Sequence, residues 1–219
     1  MSANIHKSEG TALVAQLRAG CETLLGEAPP QTVCARMIEY LNLLARWNRT
    51  YNLSAVRDTK DMISRHVLDS LSVLPWLNAD SLLDAGTGAG LPGVPLAILR
   101  PALEVTLLDS AGKKVRFLRH VKRELQLANV RPVQERLETF RPQGKVACIV
   151  SRAFSHLEEF AAAARHLMGP ESRLLAMKGR HPAKEIAGLP DWIRVDRVEQ
   201  LFVPGLHEER HLVMMSLST

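Results

Sequence analysis

The 219-residue sequence predicts an α/β fold: a mostly parallel sheet that ends in an antiparallel hairpin and is preceded by a helical segment. Three observations carry that expectation. From Ser81 onward, short apolar runs alternate with helical patterns, as in parallel strands joined by crossover helices. The first such run leads into a glycine-dense turn, Leu82-Leu83-Asp84-Ala85-Gly86-Thr87-Gly88-Ala89-Gly90-Leu91-Pro92-Gly93. The last two extended runs, residues 192–203 and 210–217, flank a tight Pro204-Gly205 loop and so imply an antiparallel pair. The chain therefore divides into a helical extension over residues 1–78 and an α/β domain over residues 79–219.

In the extension, residues 11–25 carry Leu13, Leu17, Leu24 and Leu25 as an imperfect apolar stripe, broken by Gly26 and Pro29-Pro30. Residues 31–47 place Val33, Met37, Tyr40, Leu41 and Leu44 at helical spacing. Residues 48–56 are rich in turn formers and read as irregular. Residues 61–74 form a third helix packed through Met62, Ile63, Val67, Leu68, Leu71 and Leu74. Such a preface suits a lid, a substrate platform or a cover for one sheet edge. The strands expected beyond it are 81–84, 104–108, 130–134, 146–151 and 173–178. Helices are expected at 92–99, 112–127, 157–167 and 182–187. Pro92 suits a first helical turn, where its missing N–H costs nothing.

Composition narrows the function classes. A hydrophobic fraction of 46% with 23% charged residues is that of an ordinary globular protein, and no apolar run approaches the ~20 residues that span a bilayer. The N-terminus lacks a signal-peptide core, and Cys21, Cys34 and Cys148 form no close pair, so a reduced, cytoplasmic protein is expected. A net charge of +5 favours anionic partners, nucleic acid above all. His207 and His211 straddle a loop-to-strand boundary without further ligands, so no metal site is expected. A monomer is expected.

The glycine turn admits two frames. Gly88-x-Gly90-x-x-Gly93 spells the dinucleotide fingerprint, a weak match by itself. Asp84-x-Gly86-x-Gly88-x-Gly90 resembles the first motif of class I S-adenosylmethionine (SAM) methyltransferases, whose sheet also ends in a hairpin. Asp109, about 20 residues after the turn at the end of the second strand, has the spacing of a carboxylate on ribose hydroxyls. Both cofactor classes share that ribose, and a helix N-cap would occupy the same place. Helix 112–127 gathers Phe117, Leu118, Val121 and Leu125 on one side. Arg116, Arg119, His120 and Arg123 lie on the other, flanked by Lys113 and Lys122. No acid interrupts Gly112 to Arg123, which suggests a phosphate-tracking surface, with a solvated helix face as the alternative. Lys113, Arg116, Arg119 and Arg123 are its candidate RNA contacts.

The end of strand 146–151 bears on the substrate. Val150-Ser151-Arg152-Ala153-Phe154 stands where enzymes that methylate exocyclic amines carry [Asn/Asp]-Pro-Pro-[Tyr/Phe]. Cys148 lies inside the strand, as a core residue rather than a nucleophile. A target with its own lone pair, such as a purine ring nitrogen, needs neither device. Arg152 at the strand end could bind the cofactor carboxylate, the base or a phosphate, and Lys178 ends the next strand beside it.

These residues resemble a known family. The blocks are Asn48-Arg-Thr-Tyr-Asn-Leu-Ser-Ala-Val-Arg-Asp58, Arg65-His-Val-Leu-Asp-Ser70, the turn from Asp84 to Leu96, Leu107 to Leu118, Ser151-Arg-Ala-Phe154, Met177-Lys-Gly179 and Glu209-Arg-His-Leu-Val213. Together they are similar to the bacterial 16S rRNA guanine-N7 methyltransferases (RsmG, or GidB) from about residue 47 onward. The resemblance implies a cytoplasmic enzyme that moves a methyl group from SAM to N7 of one guanine in a 16S rRNA loop of the small ribosomal subunit. It also implies cofactor contacts at Gly86, Leu91, Leu137, Glu138 and Arg152, beside Asp84, Gly88 and Asp109 from the motif reading. Arg152 and Lys178 are the candidate catalytic residues. The alternatives left by the residues alone are an NAD-dependent oxidoreductase and a non-catalytic RNA-binding protein on the same fold.

Overall fold

The computed structural model describes residues 2–218. Four strands of high burial on both faces make the middle of one seven-stranded sheet: β1 (Ser81–Ala85), β2 (Glu104–Asp109), β4 (Cys148–Ser151) and β5 (Arg173–Lys178). Covered on both sides, they are the near-continuous apolar runs that a parallel sheet requires. β3 (Val130–Gln134) closes one edge, where Pro132 is tolerated because a missing ladder donor costs little there. β7 (His211–Leu217) enters antiparallel between β5 and β6 (Ile193–Gln200), giving the order β3-β2-β1-β4-β5-β7-β6. That is the mostly parallel sheet with an antiparallel end expected from the sequence.

Period-two alternation sends neighbouring strand residues to opposite cores. Leu82, Val105, Leu107, Val150 and Leu175 pack under the N-terminal helices, α5 (Gly93–Leu99) and α6 (Gly112–Glu124). Leu83, Leu108, Ile149, Leu174 and Ala176 pack against α7 (Leu157–Ala164), the side that also carries the short α8 (Ala183–Ala187). Cys148 lies in the first core, and burial pushes its thiol up to about 12, so it is an inert packing residue.

The N-terminal segment joins that first core. α1 (Ser2–Leu25) runs through Gly10, which weakens a helix interior without ending it. α2 (Gln31–Tyr51) extends one turn beyond the expected Trp47 and stops at Asn52, a left-handed residue (φ 48°) whose N–H bonds the Asn48 carbonyl. Asn48 looks like a turn former in sequence, yet it is a buried clamp. Its amide donates to the carbonyls of Ser54 (2.8 Å) and Val56 (3.2 Å), and its oxygen accepts from Ser54 N–H (2.9 Å). The third helical stretch is composite: α3 (Thr59–Met62), capped by Asp58 on Lys60 N–H, a π-helical Ile63–Leu68, then α4 (Asp69–Leu71). No described helix is long and apolar enough to cross a membrane.

Two expectations need correction. Pro92 is the residue preceding α5 rather than its first turn. The β6–β7 connection is no tight loop, since ten residues separate Gln200 from His211. Gly205 (φ +74°) turns this loop back so closely that a Cβ there would lie 2.6 Å from Ser64 Oγ. The extra length carries Glu208 and Arg210 to the N-terminal segment.

Tyr40 ties that segment to the glycine turn. It is fully buried and its hydroxyl donates to the Ala89 carbonyl at 2.8 Å. Tyr40→Phe leaves that carbonyl without a partner and should cost about 1–3 kcal/mol. Urea unfolding should show a lower midpoint with an unchanged slope.

Candidate active site

At the carboxyl end of the sheet, where ligands bind in open α/β folds, three hollows adjoin. The glycine turn builds the central one. Asp84 ends β1 with no exposed surface. Its Oδ2 accepts from Thr87 Oγ1 (2.6 Å) and from Gly93 N–H (2.7 Å), which folds the loop back on its own strand. A Cβ at Gly93 would lie 2.3 Å from Leu107 Cδ2, so the return is possible only for glycine. Gly86 (φ +67°) and Gly88 (φ +61°) take left-handed conformations that expose the loop backbone to the hollow. Ser151 locks β4 to β1 by donating to the Ala85 carbonyl at 2.7 Å, which sets Arg152 and Ala153 opposite Gly86.

This central cavity, about 340 Å³, is walled by Gly86, Gly88 and Leu91 on one side and by Leu53–Val56 of the N-terminal segment on the other. Gly86, Lys114 and Ala153 also line a second cavity of about 220 Å³, bounded by Asp109, Leu137, Glu138 and Phe154. Asp109 lies between the loop and α6. Its Oδ2 accepts from Gly88 N–H (2.9 Å) and Lys114 Nζ (3.2 Å), and its Oδ1 from Ala111 N–H (2.9 Å). Asp109 is therefore not the N-cap of α6, which is Ala111, although it holds that residue's N–H, and its side chain lines the second cavity. Of the four lone-pair positions of a carboxylate, one remains open. Asp84, in contrast, faces no cavity and acts by holding the loop.

The third cavity, about 370 Å³, meets the first through Val56, His66 and Arg152 and is lined by Arg65, Asp69, Lys178 and Arg210. Both expected catalytic cations are here, and both are paired. Arg152 Nη1 donates to Asp69 Oδ2 (2.8 Å), and Lys178 Nζ donates to Glu185 (3.0 Å) and to the Ser155 carbonyl (2.5 Å). His66 stands between the cavities, 2.7 Å from Ser54 Oγ through Nε2. Burial lowers its pKa to about 4, so it is neutral at physiological pH.

Lys113, Arg116, Arg119 and Arg123 are all exposed on α6, outside the cavities. The C-terminal half of α2 lies alongside: Trp47 packs on Phe117 and His120 with ring centroids 5.5 Å apart, and Lys113 Nζ donates to the Tyr51 carbonyl. Arg46 and Arg49 extend the basic surface from α2. No group of metal-ligating side chains occurs among the described residues. Sequence reasoning missed Asn48, His66, Asp69, Lys114 and Arg210. All five lie in the blocks that carry the family resemblance, but only Asp69 has a signal of its own, since at seven residues from Met62 it puts a charge on the packed face of a helix.

Asp84 supplies a pH test. Burial raises its pKa from 3.8 to about 6 despite its two hydrogen bonds, and Oδ1 has no partner. The folded state therefore holds the proton more tightly than the unfolded state. The stabilisation is present below pH 3.8 and is lost as pH rises through 6. Relative to Asp84→Asn, the wild type should gain about 2 kcal/mol between pH 6.5 and 4. Urea titrations of both proteins at four pH values in that range measure the difference directly.

Comparison with known proteins agrees with this geometry. Residues 33–213 match the family model of GidB, rRNA small subunit methyltransferase G. The chain is 55% identical over 181 residues to ribosomal RNA small subunit methyltransferase G of Pseudomonas aeruginosa (strain LESB58), covering 82% of this chain and 85% of that one. It is 50% identical over 204 residues to the protein of the same name from Alkalilimnicola ehrlichii, covering 93% and 92%. Among solved structures, TrmN from Thermus thermophilus superposes with a TM-score of 0.56 at 18% identity, over 71% of this chain and about half (53%) of that chain. A SAM-dependent methyltransferase from Aquifex aeolicus gives 0.50 at 19% identity, over 68% and 90%. These two likenesses establish the class I methyltransferase fold. With its family match spanning the helical segment from residue 33 to β7, the chain belongs to the rRNA small subunit methyltransferase G (GidB) family.

Proposed function

We propose that this protein transfers the methyl group of SAM to N7 of a guanine in 16S rRNA of the small ribosomal subunit, in the cytoplasm. Family membership supports the RNA class. One structural observation supports the chemistry: the glycine-loop cavity opens past His66 and Arg152 into a separate cavity lined by guanidinium groups.

The chain's residues fit a nucleoside methyl donor. Gly86 and Gly88 leave room for close backbone approach, and a Cβ on Gly86 would collide with Ala153 at 2.9 Å. The open position on Asp109 suits a ribose hydroxyl, and the cavity bounded by Leu137 and Glu138 suits the adenine. Leu91 and Arg152 border the inner end, where Arg152 can meet either the donor's carboxylate or the target base. Bound there, SAM supplies an electrophilic methyl group on a sulfonium.

Guanine N7 carries an in-plane lone pair and no proton, so the chain need supply no general base. Its work is to hold the base in line and exclude water. A neutral His66 and a paired Lys178 agree with that division. Arg152 and Lys178 fill catalytic roles as hydrogen-bond donors at the guanine edge. Lys113, Arg116, Arg119 and Arg123, with Arg46 and Arg49 beside them, serve the phosphates of the surrounding RNA.

Labelled SAM incubated with small-subunit rRNA from cells lacking the gene should label one guanine, and that label should resist a second round on RNA from wild-type cells. Asp109→Ala should weaken SAM binding at least tenfold in calorimetry without changing RNA affinity. The double substitution Arg116→Ala/Arg119→Ala should do the opposite. SAM affinity should hold, RNA affinity should fall, and the slope of log affinity against log salt should shrink by about two.

A further inference from the structure

Three segments far apart in sequence meet on one buried carboxylate. Asp69, at 1% exposure, lies where the π-helical turn passes into α4. Its Oδ2 accepts from Arg152 Nη1 at the end of β4 (2.8 Å), and its Oδ1 accepts from Arg210 Nε just before β7 (2.9 Å). Both guanidiniums thereby line the 370 Å³ cavity, each held on one oxygen of the same carboxylate and partly exposed. Both keep N–H donors beyond those bound to Asp69, because a guanidinium has five. Arg152 otherwise meets the Arg65 carbonyl, and Arg210 the Glu209 carbonyl. Arg65 itself pairs with Glu208 at 2.5 Å, a second tie between the helical segment and the β6–β7 loop.

We propose that this cavity is the seat of the target guanine, and that Asp69 is a positioning residue that aims Arg152 and Arg210 at the base's O6 edge. The inference rests on the methyl-transfer reading above. Guanine presents O6 and N7 as acceptors on that edge, whereas adenine presents an amine donor in place of O6. Fixed guanidinium donors accept the first and repel the second, which makes the cavity guanine-selective. N7 is left free for the new bond.

Charge gives Asp69 a second task. As guanine N7 forms the C–N bond, the S–C bond breaks, its electron pair stays on sulfur, and no proton moves. The positive charge of the sulfonium therefore passes to the purine. Unpaired arginines beside the ring would oppose that transfer in a site of low effective dielectric. The cavity's four cations, Arg65, Arg152, Lys178 and Arg210, face three carboxylates, Asp69, Glu185 and Glu208. Asp69 offsets one of the two positive charges of Arg152 and Arg210, so both guanidiniums donate hydrogen bonds while the pair carries half the positive charge of two free arginines. Neutral His66, the other titratable group on this wall, adds no charge.

The test uses Asp69→Asn, which keeps shape but removes the charge, and Arg210→Lys, which keeps charge but loses the planar fork. Both should lower kcat at least tenfold at saturating SAM and RNA. SAM affinity should stay within twofold and KM for RNA within threefold; a larger loss of SAM affinity would put Arg152 on the donor's carboxylate and overturn the proposal. Saturation-transfer NMR, with S-adenosylhomocysteine present, should show contact to guanosine monophosphate and none to adenosine monophosphate in the wild type, and lose the guanosine signal in both variants. If Asp69→Asn only lowers Tm, with kcat and the guanosine contact retained, Asp69 is structural and the proposal falls. If the wild type never labels RNA, the methyl-transfer reading fails first. Labelling by the wild type that survives in both variants overturns the positioning role alone.

Discussion

The site depends on a buried carboxylate that touches no cavity. Asp84 accepts from Thr87 Oγ1 and Gly93 N–H, and this pair of bonds bends the chain from β1 into α5 within nine residues. The cavity-facing glycines, Gly86 and Gly88, hang from that bend. Asp109 then holds Gly88 N–H, and Tyr40 holds the Ala89 carbonyl, so three side chains from three elements define one loop. The arrangement carries a cost, because burying an ionised carboxylate with one oxygen unpartnered is unfavourable. The same desolvation raises the pKa of Asp84. Preorganising loop backbone for close approach is the benefit.

This also decides between the two frames of the glycine turn. In the dinucleotide frame, Gly88 to Gly93 would do the work and Asp84 would be incidental. In the structure Asp84 is the anchor. Gly86 and Gly88 are the cavity-facing glycines, and Gly93 is needed for its lack of a Cβ against Leu107. The frame that begins at Asp84 is the functional one, in keeping with the family to which the chain belongs.

What could be read without coordinates followed from local physics. Strands buried on both faces leave apolar runs, and a glycine turn with an acid 20 residues on leaves a spacing, so the sheet and Asp109 were legible. Asn48 misled because its side chain serves a tertiary clamp, while its neighbours look like turn formers. Arg210 was silent for a different reason: its partner Asp69 is 141 positions away, and only the ten-residue β6–β7 connection brings them together. Long-range ion pairs of this kind leave no periodicity. The candidate site was therefore half visible, its glycine-loop cavity written locally and its arginine-lined cavity assembled from distant pieces.

That assembly explains why a helical segment precedes the sheet. Asn48 clamps Leu53–Val56 over the glycine loop, His66 divides the two cavities, and Asp69 gathers the arginines, so one wall of each cavity is built by residues before β1. The same segment separates two kinds of cation. Arg46, Arg49, Arg116 and Arg119 are exposed and, among the described residues, have no carboxylate within ion-pair distance, which suits mobile contacts to phosphate. Arg65, Arg152, Lys178 and Arg210 are each bound to a carboxylate. Outside, an unpaired charge costs little desolvation and stays available to an anionic partner. In the third cavity an unpaired charge would be costly to bury, so the fold pairs the half-buried Arg152, Lys178 and Arg210 with Asp69 and Glu185, which fixes their direction, while the exposed Arg65 pairs with Glu208.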